Sequence, residues 1–307
     1  MIETNNIKEK SVAIILVNYN GAKDTVECIN SIERSLYSNF HIIVVDNCST
    51  DNSIEILEEQ KKKCLFDLVI SPENKGFSSG NNIGIIFAKS KYSPDYFWLL
   101  NNDTFVNEDT LRELVNGFLQ GNGIGVTTGK IFYSSNRSKI WYAGGSISAV
   151  TARTEHWNYN QFCSMSNNDD AEEVTFASGC CMLISKDVIA SVGLLDESYF
   201  LYEEDADYCL RILKHSFSIF YCPHAVLYHK VSASTGTNSP LTQYYLVRNK
   251  YKLINKNYSG ANKVMAYIYS TLQLLFRCLK HELNLPNYLK GLEGFWHNEN
   301  GKGSLFE

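Results

Sequence analysis

Several short stretches of this 307-residue chain gather residue types that do chemistry. Glu203-Glu204-Asp205-Ala206-Asp207 places four carboxylates within five residues. Ala206, Cys209, Leu210 and Leu213 follow at i, i+3, i+4 and i+7, so the spacing predicts a helix that begins at the cluster and buries that face. The carboxylates then occupy its first turn, where the helix dipole favours the ionised form. An ionised carboxylate at the rim of a site suits a general base. Asp207 and Arg211, four residues apart, are expected to form a structural ion pair, and Glu203 to be a solvated charge. Charge pattern alone does not choose between Glu204 and Asp205. Asn101-Asn102-Asp103 follows the apolar run FWLL. Asp103 there is either a hard ligand for Mg²⁺ or Mn²⁺ bridging a diphosphate, or part of an Asx-rich turn. Asp46 closes VVDN, where it reads nucleoside hydroxyl and NH groups or simply forms a turn.

Three further sites complete the chemical inventory. Asn74-Lys75-Gly76-Phe77, with Gly80, Asn82 and Gly84, forms a loop that runs into a helix. Glycine allows close approach of backbone to ligand, and a helix N-terminus attracts anions. The stretch is not GxGxxG and lacks an acidic residue at the expected offset, so a dinucleotide site fits poorly. His229 ends an apolar run before a polar loop, as a metal ligand or a structural imidazole. Arg248 lies on a helix beyond that loop, where it clamps a phosphate or holds its own helix in place.

The elements that must position these residues alternate strand and helix over the first hundred positions, the pattern of a parallel sheet built from βαβ units. Residues 11–17 form a continuous apolar run, as in a strand covered on both faces. Strands are expected at 41–45, 65–70 and 96–100, and helices at 22–35, 51–63 and 78–89. The loops after the strands read NYNG, DNCSTD, PENKGF and NND, at the carboxyl ends where open α/β sheets bind ligands. Beyond Gly123 come aromatic-containing strand-like pieces, a polar loop near 164–173, a helix at 186–192 and two strands at 218–221 and 225–229. A polar loop is expected at 231–239, then helices, the longest spanning about 262–285.

Composition narrows the function classes. Hydrophobic residues make up 44% of the chain, enough for a substantial core, and the net charge of −5 argues against a general nucleic-acid binder. The first ten residues are polar, without the apolar stretch of a signal peptide. Nine cysteines without a CxxC pair fit reduced thiols in a cytoplasmic protein. A nucleotidyltransferase would want a basic Gly-rich loop near the first strand, which Asn18-Tyr19-Asn20-Gly21 does not provide. A non-catalytic nucleotide-sugar-binding protein need not keep both Asp103 and Asp205.

In order and spacing these segments resemble glycosyltransferase family 2, with its GT-A fold. The resemblance is carried by VAIILVNYN at 12–20, VVDNCSTD at 44–51, ENKGFSSGNNIG at 73–84, LLNND at 99–103 and the long run from 178 to 212 ending YEEDADYCLRI. His229 and QYYLVRN at 243–249 complete it. The nearest branch is the rhamnosyltransferase-like enzymes of bacterial surface polysaccharide assembly. The resemblance implies an α/β fold with a mostly parallel nucleotide-binding sheet flanked by helices, and a helical extension. It divides the chain into a catalytic domain at 1–255, with halves at about 11–105 and 106–255, and an extension at 256–307. It implies an inverting transfer from a dTDP- or UDP-sugar to a saccharide or lipid-linked saccharide, with Mg²⁺ or Mn²⁺ as cofactor. Val17, Tyr19 and Asp46 would contact base and ribose. Asn20, Asn102 and Arg248 fall on the same donor side, and the loop holding Asn74, Lys75, Gly76, Phe77, Gly80 and Asn82 would shape the pocket. Asp103, the last position of the family's DxD motif, and His229 would hold the metal. Asp205 would be the base and Glu204 would sit against the acceptor. The chain departs from the pattern at Asn101, which leaves one anionic ligand fewer. Residues 264–279, apolar but short of a ~20-residue span, are expected to pack on the catalytic domain or to touch the inner membrane surface.

Overall fold

The computed structural model describes residues 9–163, 170–231 and 239–303. Along the chain run β1 (Val12–Asn18), α1 (Ala22–Ile32), β2 (Phe40–Asp46), α2 (Ser53–Lys61), β3 (Asp67–Ile70), α3 (Phe77–Lys91) and β4 (Tyr96–Asn101). Then come β5 (Thr104–Val106), α4 (Thr110–Gly117), β6 (Ile124–Tyr133), β7 (Asn136–Tyr142), β8 (Gly145–Ile147), β9 (Thr154–His156) and β10 (Glu172–Val174). The rest is β11 (Cys181–Ser185), α5 (Lys186–Ser191), α6 (Glu204–Lys214), β12 (Ser218–His229), α7 (Pro240–Asn257), α8 (Gly260–Leu279) and α9 (Leu285–Trp296).

The main sheet runs β10-β12-β6-β11-β4-β1-β2-β3, with β5 on β12 and β7 on β6. Strands β1 to β4 are mutually parallel, and β11 is antiparallel to both β4 and β6. Val12 to Leu16 of β1 are all fully buried, which explains the unbroken apolar run: a central parallel strand has no solvent face on which to alternate. Each Val, Ile or Leu side chain among them contributes about 1.5–3 kcal/mol of burial. Gly84 of α3 lies so close to Ile15 that an added Cβ would sit 2.5 Å from it, so the helix presses tightly on β1.

Two expectations change. The strands expected at 218–221 and 225–229 are one strand, β12, whose pairing with β6 shifts between Cys222 and Val226. Pro223 lies in that shift, because proline lacks the N–H a regular ladder needs. The long helix expected at 262–285 ends at Leu279, and His281 takes a left-handed φ of 59° before α9 starts with Pro286 in its first turn. The expected boundary at 255 falls in the last turn of α7. The loops expected at 164–173 and 231–239 lie mostly outside the described residues.

Candidate active site

Parallel register brings the strand ends together. Asn18 pairs with Asp46 across β1 and β2, and Val17 with Asn101 across β1 and β4. The carboxyl ends of β1, β2, β4 and β12 and the N-termini of α6 and α7 surround a cleft of about 750 Å³, within the usual size of a small-ligand site. Val17, Tyr19, Asn20, Asn74, Gly76 and Phe77 line one part of it, and Asn102, Asp103, His229, Glu204 and Asp205 another. Residues more than 200 positions apart, Val17 and His229 among them, thus meet in one cavity.

Its floor is braced by the loops themselves. Both Asp46 oxygens are engaged: Oδ2 accepts from Asn18 Nδ2 at 2.8 Å and Ser49 Oγ at 2.6 Å, and Oδ1 from Ser49 N at 2.9 Å. Asp46 is fully buried beneath the cleft and builds the loop. Asn74 Oδ1 accepts from Asn47 Nδ2 and from Gly76 N, both at 2.9 Å. Gly76 has a φ of 90°, and a Cβ there would fall 2.0 Å from the Phe200 carbonyl oxygen. The loop therefore requires glycine for close packing against the segment that carries the acidic cluster.

Four other expected donor-side residues lie off the cleft wall. Lys75 points outward to Glu73 at 2.6 Å. Gly80 packs against Val17, where a Cβ would meet Cγ1 at 2.7 Å. Asn82 donates to the Leu195 carbonyl and to Glu197 Oε1, both at 2.9 Å, and ties α3 to the chain before the acidic cluster. Arg248 is fully buried between the rings of Tyr244 and Tyr245 and donates to the Gly301 carbonyl at 2.8 Å. Of its two anticipated roles, holding its helix is the one its contacts describe.

Asp103 and His229, paired in the sequence only through the family resemblance, do meet. Nε2 lies 3.1 Å from Asp103 Oδ1 and 3.3 Å from Asn101 Nδ2. The two are in hydrogen-bond contact, and the same oxygen and nitrogen are of the types that would hold a divalent cation. His229 Nδ1 has no hydrogen-bond partner, and Trp141 meets the ring edge-on at 4.8 Å. No group of three or more His, Cys, Asp or Glu ligands occurs among the described residues.

The acidic cluster departs from expectation in its electrostatics. Asp205 Oδ2 accepts from Gly179 N at 3.0 Å and Oδ1 from Ala206 N at 2.8 Å. Burial pushes Asp205 above the ordinary carboxylate range, against the pull of those backbone bonds and the Lys250 charge. Glu204 is pushed up further, by burial first and then by Asp205, and its Oε2 has no partner. The predicted dipole effect is worth about 0.3–1 kcal/mol. Taking a carboxylate out of water costs several kcal/mol, so desolvation wins. Glu203, expected in solvent, instead pairs with Lys250 of α7 at 2.8 Å and is only 10% exposed. Asp207 and Arg211 do form the expected pair, at 2.8 Å.

The turn before α6 is strained. Tyr202 and Glu203 both take left-handed φ, 70° and 69°, at roughly 1–2 kcal/mol per residue. Asn249 Nδ2 donates to the carbonyls of Leu201 and Tyr202, at 2.8 and 3.0 Å, and with Lys250 fixes the turn that aims Asp205. Sequence reasoning missed this clamp, because Asn249 and Lys250 lie over 40 residues from their partners. It also missed the aromatic wall of Trp141, His156, Phe176 and Tyr245, and Lys302, which lines the cleft from the far end of the chain. The only signal was the unexplained density of aromatics after Gly123.

Comparison with known proteins agrees with this architecture. The family described as Glycosyl transferase family 2 matches residues 13–193. The chain is 25% identical over 281 residues to the low-salt glycan biosynthesis hexosyltransferase Agl10 of Haloferax volcanii, covering 86% of this chain and 81% of that protein. It is 23% identical over 310 residues to the dTDP-rhamnosyl transferase RfbF of Shigella flexneri, covering 92% and 95%. The mannosyltransferase PcManGT of Pyrobaculum calidifontis, solved with GDP-Man and Mn²⁺, superposes with a TM-score of 0.60 at 15% identity, covering 95% of this chain and 76% of that one. With the family match extending over more than half of its length and the fold in agreement, the chain belongs to glycosyltransferase family 2 and is a glycosyltransferase.

Proposed function

We propose that the chain transfers a hexosyl group, rhamnose or a related sugar, from a dTDP- or UDP-sugar to a hydroxyl of a saccharide or lipid-linked saccharide, with inversion at the anomeric carbon, in the assembly of an O-antigen or capsule type of polysaccharide in the cytoplasm. The observation that carries this reading is the shared cleft: the Asp103–His229 pair and Asp205 line one cavity. Asp103 and His229 would hold Mg²⁺ or Mn²⁺, whose charge stabilises a departing diphosphate when bound. Asp205 takes the proton of the acceptor hydroxyl as that oxygen bonds to the anomeric carbon, and the nucleoside diphosphate leaves with the electrons of the broken bond. Gly179 and Ala206 amides orient the carboxylate for that step. Glu204, whose protonated form burial favours, would sit against the acceptor. The similarity to a dTDP-rhamnosyl transferase and the Mn²⁺ in PcManGT support the donor class and the cation. Residues 1–255 act as the catalytic unit in this reading and 256–307 as its acceptor-side extension.

The test is Asp205→Asn, which keeps the shape and cannot accept a proton. kcat should fall by roughly 10²–10⁴, with donor Kd unchanged. Glu204→Gln should lower kcat less and raise the acceptor KM. Normal turnover of Asp205→Asn beside a dead Glu204→Gln would reverse the assignment. A protein that binds nucleotide sugar and never turns it over would be the non-catalytic alternative.

A further inference from the structure

After α9 the chain turns back through left-handed φ at Asn298, Gly301 and Gly303, of 54°, 58° and 77°, and residues 299–302 form a strap bonded to α7. Lys252 Nζ donates to the Glu299 carbonyl at 2.8 Å and to Asn300 Oδ1 at 2.9 Å. Arg248 Nη2 and Tyr245 Oη donate to the Gly301 and Lys302 carbonyls, both at 2.8 Å. Gly301 N in turn donates to the Ser198 carbonyl at 3.0 Å. Arg248 and Tyr245 are fully buried and Lys252 nearly so. Buried groups thus fix the backbone at Lys302, and little backbone freedom is left to lose when its side chain meets a ligand.

Lys302 itself is exposed and lines the cleft. Asp24, Asp103, Glu203, Glu204 and Asp205 line it too, and among the described residues no other Lys or Arg does. Lys75, Lys230, Lys250 and Arg248, the cations of the neighbouring segments, are bonded to Glu73, Asp24, Glu203 and the Gly301 carbonyl. Lys302 makes no ion pair among the described residues, so its charge is uncommitted. An anionic ligand meets carboxylates over much of this wall and one ammonium that attracts it. The support of the strap indicates which ligand that is. Phe77 N donates to the Phe200 carbonyl at 2.9 Å, which closes the loop at 74–77 against Phe200. Phe200 stacks on Tyr245 at 5.2 Å, and Tyr245 holds Lys302. Lys302 therefore springs from the same support as the loop expected to shape the nucleotide-sugar pocket.

We infer that Lys302 binds the diphosphate of the nucleotide-sugar donor. The inference rests on the nucleotide-sugar reading above and gives the strap a donor role, with the acceptor-side role left to α8 and α9. When the bond between sugar and diphosphate breaks, the diphosphate keeps the electron pair and gains one negative charge. The ammonium therefore holds the leaving group more strongly than the bound donor. Calorimetric titration of the full-length protein with UDP and with dTDP, in Mg²⁺, tests this. Lys302→Met should raise the Kd of the nucleotide that wild type binds by at least about tenfold, the worth of one hydrogen bond to a charged group. It should also flatten the dependence of that Kd on NaCl and lower kcat. Lys302→Arg should restore most of the binding, because it keeps the charge. Both variants should keep the wild-type melting temperature, since the side chain is exposed and the strap is held through its carbonyls. An unchanged Kd in Lys302→Met overturns the inference and leaves the donor reading standing. A loss of affinity that comes with a lower melting temperature, or that Lys302→Arg fails to restore, also overturns it, because Lys302 would then be a structural tie. Wild-type protein that binds neither nucleotide would sink the donor reading itself, and the inference with it.

Discussion

Glu204 offers the sharpest check on the electrostatics of the cleft. Its carboxyl is 6% exposed, Oε2 has no partner, and burial together with Asp205 raises its pKa well above the ordinary range. A carboxyl whose folded pKa exceeds its unfolded pKa keeps a proton in the fold that the unfolded chain releases. Its favourable contribution is therefore present at low pH and is lost as pH rises from the unfolded pKa toward the folded one. Within that window stability declines by up to about 1.4 kcal/mol per pH unit. Glu204→Gln keeps the shape of the neutral acid and releases no proton. Thermal unfolding of both proteins should be followed from pH 5 to pH 8. The variant should melt close to wild type at pH 5 and several degrees higher at pH 7, at roughly 2 °C per kcal/mol for a chain of this size. Some pH dependence remains in the variant, because burial raises Asp205 and Glu203 in the same direction. A variant that melts below wild type at pH 7, or follows an identical pH profile, would show that Glu204 is ionised in the fold and refute this account.

Three other outcomes follow from the geometry. Excess EDTA should abolish sugar transfer and Mn²⁺ should restore it, while His229→Ala should raise the Mn²⁺ concentration needed for half-maximal activity; full activity in EDTA would discard the cation role of Asp103 and His229. Gly76→Ala should cost several kcal/mol, as it adds a collision with the Phe200 carbonyl to the strain of a left-handed φ. Gly193→Ala, with a φ of 87° and nothing within 4 Å, should cost only about 1–2 kcal/mol; equal melting temperatures for the two variants would contradict the packing role of Gly76. Lys250→Met should shift the acid limb of the kcat/KM profile to higher pH, because Lys250 holds down both Glu203 and Asp205. Lys250→Arg should restore the limb, and an unmoved limb in Lys250→Met would leave Lys250 a purely structural tie.

Local signals foretold the elements of the first hundred residues well and the later ones unevenly. The apolar run of β1, the strand-end loops and the start of α6 lie in contiguous sequence, so period and composition were enough to place them. Asp103 and His229 were paired through family resemblance, since no spacing rule links positions 126 apart. Asp46, Gly80 and Asn82 belong to the motifs and yet brace the cleft instead of lining it, which motif matching alone cannot separate. Glu203 failed for a physical reason. A charge run reads as solvated unless a cation from a distant element covers it, and Lys250 does so here. Arg248 carried two readings because its aromatic neighbours and the Gly301 carbonyl become visible only in three dimensions.

Asp205 sits where several unfavourable terms converge. Tyr202 and Glu203 are strained, and burial works against ionisation at Glu203, Glu204 and Asp205. Such a segment would relax if it stood alone, by extending the turn and moving its carboxylates into water. It is held instead from α7, where Asn249 grips the carbonyls of Leu201 and Tyr202 and Lys250 neutralises Glu203. Helix α7 is fixed in turn by the end of the chain: Arg248 bonds to Gly301, Lys252 to Glu299 and Asn300, and Tyr245 to the Lys302 carbonyl. The final described residues are therefore structural members of the cleft, linked to Asp205 through two layers of contacts.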